Sequence, residues 1–326
     1  MSSLKLFFLG PPHLERDGQP LELSTRKSLA LLAYLAVTGR PHRREVLTAL
    51  LWPNSKARQA RSVLRTTLST LNKSLAGAGL LIERDSVDLD REANIRLDVE
   101  QFRQLAQSWQ DHDHPEDEFC EECRRDLAAA VSLYRGDFLE GFTLPDSAEF
   151  DDWQSFETEG LRRVFAGVLE KLVQSYQAQE QFDAAIAYAQ RWLALDPLHE
   201  PAHRCLMQLY AASGNRSAAI RQYQSCCELL EDELEVRPEA ETTALYERIR
   251  QETTQNVKVI AETYGIIDGL TPEGLAQNLL GQGGLGIQRI IRELLDVVGR
   301  HRWVDADTPE GVATTPHQGG AYEDQY

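Results

Sequence analysis

The sequence predicts a mainly α-helical protein in two parts, a small α+β head over residues 1–97 and an all-helical body over residues 98–254. Three observations carry this. Short apolar-alternating runs at the N-terminus give way to helical spacing soon after Ser24. The charge changes sign along the chain: residues 1–77 hold twelve Lys or Arg against four acids, a net of +8, so the remainder carries −25 of the total of −17. From about Asp98 to Arg250 the pattern is helical throughout and matches itself at an offset of 34 residues. At 326 residues and 42% hydrophobic, the chain is long enough for two compact cores.

Leu4–Leu9, His13–Glu15 and Leu21–Leu23 are apolar-alternating and are punctuated by Pro11, Pro12 and the turn pair Asp17-Gly18, as in a small antiparallel meander. Ser24 or Thr25 then caps the run SLALLAYLAV, which ends at Gly39. Apolar on every side, it is the buried central helix of a small domain. Two short helices follow between Arg40 and Ser74. Arg43 and Arg44 begin the first, which stops at Trp52-Pro53 because proline cannot continue a helix. The second runs Arg58–Lys73. Laid out at the helical period, Leu64, Leu68, Leu71 and Leu75 share one narrow arc, and Ser62, Thr66, Ser69 and Lys73 point the opposite way. Burying four leucines contributes roughly 8 kcal/mol, at ~2 kcal/mol each, so one face packs and the other is left to bind. After Gly77 and Gly79, LLIER and VDLD flank a tight turn at Asp85-Ser86, a β-hairpin. Strands, three helices and a hairpin, in that order, make a winged helix.

A leucine-anchored helix with an outward ridge of hydroxyls and cations has the chemistry of DNA reading: side chains for base edges, positive charge for phosphates. Arg65, Thr66, Ser69, Thr70 and Lys73 are the candidates for base edges or nearby phosphates, with Ser62 on the same face. Arg58 lies on the shoulder, Arg61 and Asn72 at the margins, Arg43 and Arg44 on the preceding helix, and Arg84 in the hairpin. The basic head thus selects a polyanion, which the overall acidity would conceal.

In the body, the 34-residue offset places Leu172 on Leu206, Tyr176 on Tyr210, Ala185 on Ala219 and Ile186 on Ile220, the tetratricopeptide period. Gly214 takes the inter-helix turn of the second unit and Glu180 that of the first. Two units are few, so flanking helices such as Asp126–Tyr134 and Phe150–Arg163 must complete the core. Trp52, Trp109, Trp153 and Trp192 stand among apolar neighbours and read as core.

His112, His114, Cys120 and Cys123 form H-x-H-x5-C-x2-C, a ligand set able to close a structural, tetrahedral zinc site. The run Gly281–Gly286 matches G-x-G-x-x-G, but helix-like residues precede it where a dinucleotide fingerprint needs a strand. It reads as a hinge before the amphipathic stretch IQRIIRELLDVV, within a helical extension over 255–300, and a polar tail over 301–326 has the composition of disorder. No carboxylate pairing, G-x-S-x-G or G-x-x-x-x-G-K-[ST] is present, which argues against an enzyme. With no long apolar span and no signal-peptide pattern, no membrane partner and a cytoplasmic setting are expected.

Residues 4–97 resemble the DNA-binding domain of response regulators, through Leu21–Leu35, REVLTALLWP and ARSVLRTTLSTLNKSL. Residues of about 98–250 resemble the bacterial transcriptional activation domain, a tetratricopeptide-type module. YRGDFL, ALDPLHEPAH and ELEVRPEAET carry that likeness. Together they have the arrangement of the antibiotic-regulatory activators. The resemblance implies a sequence-specific activator that binds double-stranded DNA, recruits RNA polymerase and self-associates through its repeat domain, acting as a homodimer on repeated half-sites. The alternative is a tetratricopeptide-type protein-interaction adaptor without DNA binding.

Overall fold

The computed structural model describes residues 3–75, 79–90, 92–111 and 120–251. The chain opens with β1 (Leu4–Phe7), β2 (His13–Arg16) and β3 (Gln19–Pro20). Leu6 stands opposite Leu14, and both point into the core. Asp17 and Gly18 adopt φ of 51° and 78°, the left-handed pair that a two-residue hairpin turn requires. That turn returns the chain at once, so β3 precedes the expected Leu21–Leu23.

Helix α1 (Arg26–Thr38) starts where the Thr25 hydroxyl accepts the Ser28 N–H at 3.1 Å. It closes at Gly39, with φ of 62°. Ala30, Leu31, Leu32, Ala33 and Leu35 are all buried, as saturation on every side demands. Then come β4 (His42–Arg43), α2 (Arg44–Leu51), α3 (Ala57–Ser74), β5 (Leu80–Ile82), β6 (Ser86–Leu89) and β7 (Ile95–Leu97). The winged helix is present, with two strands that the sequence pattern does not announce. β4 joins the hairpin in a sheet of order β4-β6-β5, and β7 runs parallel to β1 in a sheet of order β3-β2-β1-β7. The hairpin turn falls at residues 83–85, ahead of the expected Asp85-Ser86, because Ser86 already pairs with Arg43.

β7 leads directly into α4 (Asp98–Gln107). The Asp98 carboxylate is buried and accepts the main-chain N–H groups of Phe8, Leu9 and Val99 at 2.8–2.9 Å, with Arg135 Nη2 at 3.3 Å. An unpaired buried carboxylate would be costly; three amides and a guanidinium offset this one. Aromatic packing continues through the junction, from Phe8 against Phe138 to Tyr34 and Phe138 against Trp153. The head and the adjoining part of the body therefore share one core, a smaller cluster of Val173, Ala185, Ala189, Leu206 and Leu209 lies further along the body, and residues Met1–Glu247 form a single compact unit.

The body continues through a short turn of 3-10 helix (Ser108–Asp111), α5 (Glu121–Leu133), α6 (Ala148–Ala178), α7 (Phe182–Leu193), α8 (Glu200–Ala212) and α9 (Arg216–Leu234), followed by a helix over 240–251. The expected flanking helix Phe150–Arg163 and the first repeat helix are one uninterrupted helix of 31 residues. The repeat itself is exact at the turns. Glu180 N–H donates to Gln177 and Gln181 N–H to Tyr176, and 34 residues on, Gly214 donates to Ala211 and Asn215 to Tyr210. Glu180 and Gly214 both adopt left-handed backbone, at φ of 56° and 81°. Trp52 and Trp192 are buried, and Trp109 and Trp153 pack against the core. Among the described residues no helix is long and apolar enough to cross a membrane. The glycine run, the amphipathic extension and the tail lie outside the described residues.

Candidate nucleic-acid interface

Helix α3 is held from behind by Ala60, Leu64, Leu68, Leu71 and Leu75, all buried. Its opposite face is exposed at Arg58, Arg61, Ser62, Arg65, Thr66, Ser69 and Lys73, the ridge expected from the sequence. The Thr66 and Thr70 hydroxyls donate back to the carbonyls of Ser62 and Thr66, at 3.2 and 3.0 Å. Their lone pairs are left to accept. Thr70 and Asn72 are only half-exposed, and the Asn72 side-chain oxygen is buried without a hydrogen bond among the described residues.

The start of α3 is unusual for a helix built only for stability. Lys56 is its N-cap and provides no side-chain cap, the first turn holds no acid, and Arg58 and Arg61 follow at once. Cations at the positive end of a helix dipole are unfavourable by about 0.3–1 kcal/mol each, and uncapped N–H groups want an acceptor. Both costs vanish when an anion docks there. Among the described residues none of Arg58, Arg61, Arg65 and Lys73 is in an ion pair, so their charge is available to phosphate.

The cations of the preceding helix divide their roles. Arg43 is exposed on β4 beside the helix pair. Arg44 instead turns inward toward the wing, donating its main-chain N–H to Asp85 O at 3.0 Å and its guanidinium to Glu83 O at 2.8 Å. It is a brace between α2 and the wing rather than a free phosphate contact. Arg84 is exposed at the tip between Glu83 and Asp85, so the wing adds little net positive charge. Sequence reasoning missed this brace because its acceptors are main-chain carbonyls.

His42, buried next to Arg43, completes the junction. Thr38 donates its hydroxyl to Tyr34 O at 2.6 Å, so at 2.7 Å His42 Nε2 must be the donor to Thr38 Oγ1. Burial, then Arg40, pushes the imidazole below its usual range, against a smaller opposing pull from Asp88.

Of the four candidate zinc ligands, His112 and His114 lie outside the described residues. Cys120 caps α5, accepting the Cys123 N–H on its sulfur, and the two sulfurs stand 3.4 Å apart. Among the described residues no group of three His, Cys, Asp or Glu is gathered for a metal.

A winged-helix head with a free basic ridge, packed on a tetratricopeptide-type body, defines a DNA-binding regulator of transcription. Residues 97–250 match the bacterial transcriptional activator domain. The chain is also similar to the transcriptional regulatory protein MoaR1 of Mycobacterium tuberculosis, 26% identical over 80% of this chain and 83% of that one. It is similar to the transcriptional regulatory protein EmbR of the same organism, 27% identical over 78% of this chain and 65% of EmbR. The structure of M. tuberculosis EmbR in complex with a low-affinity phosphopeptide superposes with a TM-score of 0.58 at 22% identity, covering 89% of this chain and 72% of that one, which shows the shared fold. The matched residues 97–250 lie behind the winged helix, in the order of parts expected from the sequence.

Proposed function

We propose that this regulator lays α3 in the major groove of duplex DNA and activates transcription through its helical body. The observation that carries the reading is the start of α3: uncapped, free of acids and followed by exposed cations on a helix whose other face is locked by leucines. Arg65, Thr66, Ser69 and Lys73 face base edges or adjacent phosphates, Arg58 and Arg61 take phosphates at the helix start, and Arg43 adds one from beside it. Hydroxyls and one or two arginines give modest direct readout, so two copies on repeated half-sites supply useful specificity. RNA polymerase is the partner that the activator class implies for the body, and the cytoplasm is the setting.

If one head neutralises about five phosphates, the logarithm of the binding constant falls against the logarithm of salt with a slope near −4.5. A fluorescence titration on an operator fragment over a salt series measures it; salt-independent failure to bind any genomic fragment contradicts the reading.

A structural zinc on His112, His114, Cys120 and Cys123 belongs to the same proposal. Two thiolates on one tetrahedral zinc stand about 3.8 Å apart, given Zn–S bonds of about 2.3 Å, and the 3.4 Å between Cys120 and Cys123 fits such a half-site. Metal analysis of protein expressed in zinc-replete medium should find close to one zinc per chain; none would discard the site.

A further inference from the structure

We propose that α6 carries a self-complementary surface through which two copies of this chain pair, Phe156 of each entering a cleft beside Ala166 of the other. The knob is plain: Phe156 is 77% exposed on a helix whose opposite face, from Phe150 to Val173, is core. A phenylalanine left in water forgoes about 1.5–3 kcal/mol of burial, and large exposed apolar groups mark contact surfaces.

The hole lies on the same helix. A cleft of about 400 Å³ opens between α6 and the α7–α8 connection, walled by Ala166, Trp192, Leu195 and Pro197, with Arg163 and Glu159 at its rim. That is room for a benzyl side chain, with an apolar wall of Ala166, Trp192, Leu195 and Pro197 and a polar one to which Arg162, Asp196 and His199 contribute. Knob and hole are ten residues apart, about 15 Å at the helical rise. Two α6 helices crossing antiparallel midway between them therefore place each Phe156 against the partner's Ala166. This is the reciprocal contact that a two-fold interface requires, and it closes on itself.

Two features at the crossing point agree. Gly160 sits there with open space where a Cβ would project, so two helix backbones can approach closely. Within a helix glycine costs about 1 kcal/mol relative to alanine, and close approach is a reason for it. Glu159 and Arg163, both exposed, lie either side of the midpoint, so antiparallel crossing sets Arg163 of one copy against Glu159 of the other, twice, where it would share the carboxylate that Arg162 of the same helix already holds at 3.3 Å. The charge pattern fits a second copy and not a partner of single sign.

This assignment rests on the reading that two copies act together and names the surface that joins them. Sedimentation equilibrium of the full chain tests it, with half-site DNA binding measured alongside. Wild type should dimerise. Phe156→Ala, at an exposed position and so without loss of thermal stability, should raise the dimer dissociation constant on the order of 100-fold or more, since an aromatic anchor is lost twice. Ala166→Trp, which fills the cleft, should do the same. Arg163→Glu should weaken the dimer and Glu159→Arg with Arg163→Glu should restore it. The Phe156→Ala monomer should keep its half-site affinity. A dimer indifferent to both Phe156→Ala and Ala166→Trp overturns the surface and leaves a dimer joined elsewhere. A wild type that stays monomeric, free and on DNA, overturns both the surface and the two-copy reading; loss of half-site binding by stable wild type would instead overturn the role of α3.

Discussion

The hydroxyl of Ser147, fully buried at the start of α6, donates to the main-chain carbonyl of Leu51, 3.0 Å away at the end of α2. The pair of α2 and α3 is thereby tied to the body by a bond that water does not reach. Ser147→Ala leaves a buried carbonyl unpaired and should destabilise the protein by about 1–3 kcal/mol. Because head and body share one core, urea unfolding followed at Trp fluorescence and at far-UV ellipticity should give one coincident transition, shifted in the variant. Separate transitions for head and body would refute the shared core.

Arg43 and Arg44 are neighbours in sequence with different work. Arg43→Ala removes one exposed cation and should lower the salt slope of DNA binding by about 0.9 with stability unchanged. Arg44→Ala breaks the brace to Glu83 and should lower stability by about 1 kcal/mol as well as affinity. Thermal unfolding of the two variants separates the roles; equal stability would place Arg44 with the phosphate contacts.

His42 gives the head an acid-sensitive joint. Its imidazole is held below the usual value, so the folded state favours the neutral ring and the unfolded state takes up a proton first. Stability from this residue is complete above about pH 6.5 and is lost as pH falls from there toward the folded value. Asp98, pushed up by burial, acts in the opposite sense. Asp137, held down by hydrogen bonds from Arg162, acts only in the more acidic range where carboxylates titrate. Urea midpoints between pH 7.5 and 5.5 should fall for wild type and stay flatter for His42→Gln; equal slopes would remove His42 from the account.

Glu180 occupies the left-handed position that its repeat partner fills with Gly214. A side chain there is strained, by about 1–2 kcal/mol relative to the ordinary helical region. Glu180→Gly should therefore raise the thermal midpoint despite glycine's greater entropy when unfolded, whereas Gly214→Ala should lower it. A fall with Glu180→Gly would mean that the Glu180 side chain gives the turn more than its strain removes.

These residues also show what the sequence discloses. Helix α3 was legible because its leucines recur at one period and its cations at another face. The turn at Glu180 was legible because the 34-residue offset set it on Gly214. β4 and β7 were not: strands of two and three residues show no alternation, and both exist only through partners distant in sequence, Val87 for His42 and Leu6 for Leu97. Asp98 and Ser147 were not, since a lone acid and a lone serine look like surface until tertiary structure brings main-chain groups to them. In the site, the ridge was readable and the brace at Arg44 was not.

Operator binding by the Arg65→Ala, Lys73→Ala double variant, measured by gel shift and footprinting beside its thermal unfolding, tests the central claim most directly. Both side chains are exposed on α3, so the variant should unfold like wild type and lose operator binding. An unchanged shift and footprint would contradict the placement of α3 in the groove.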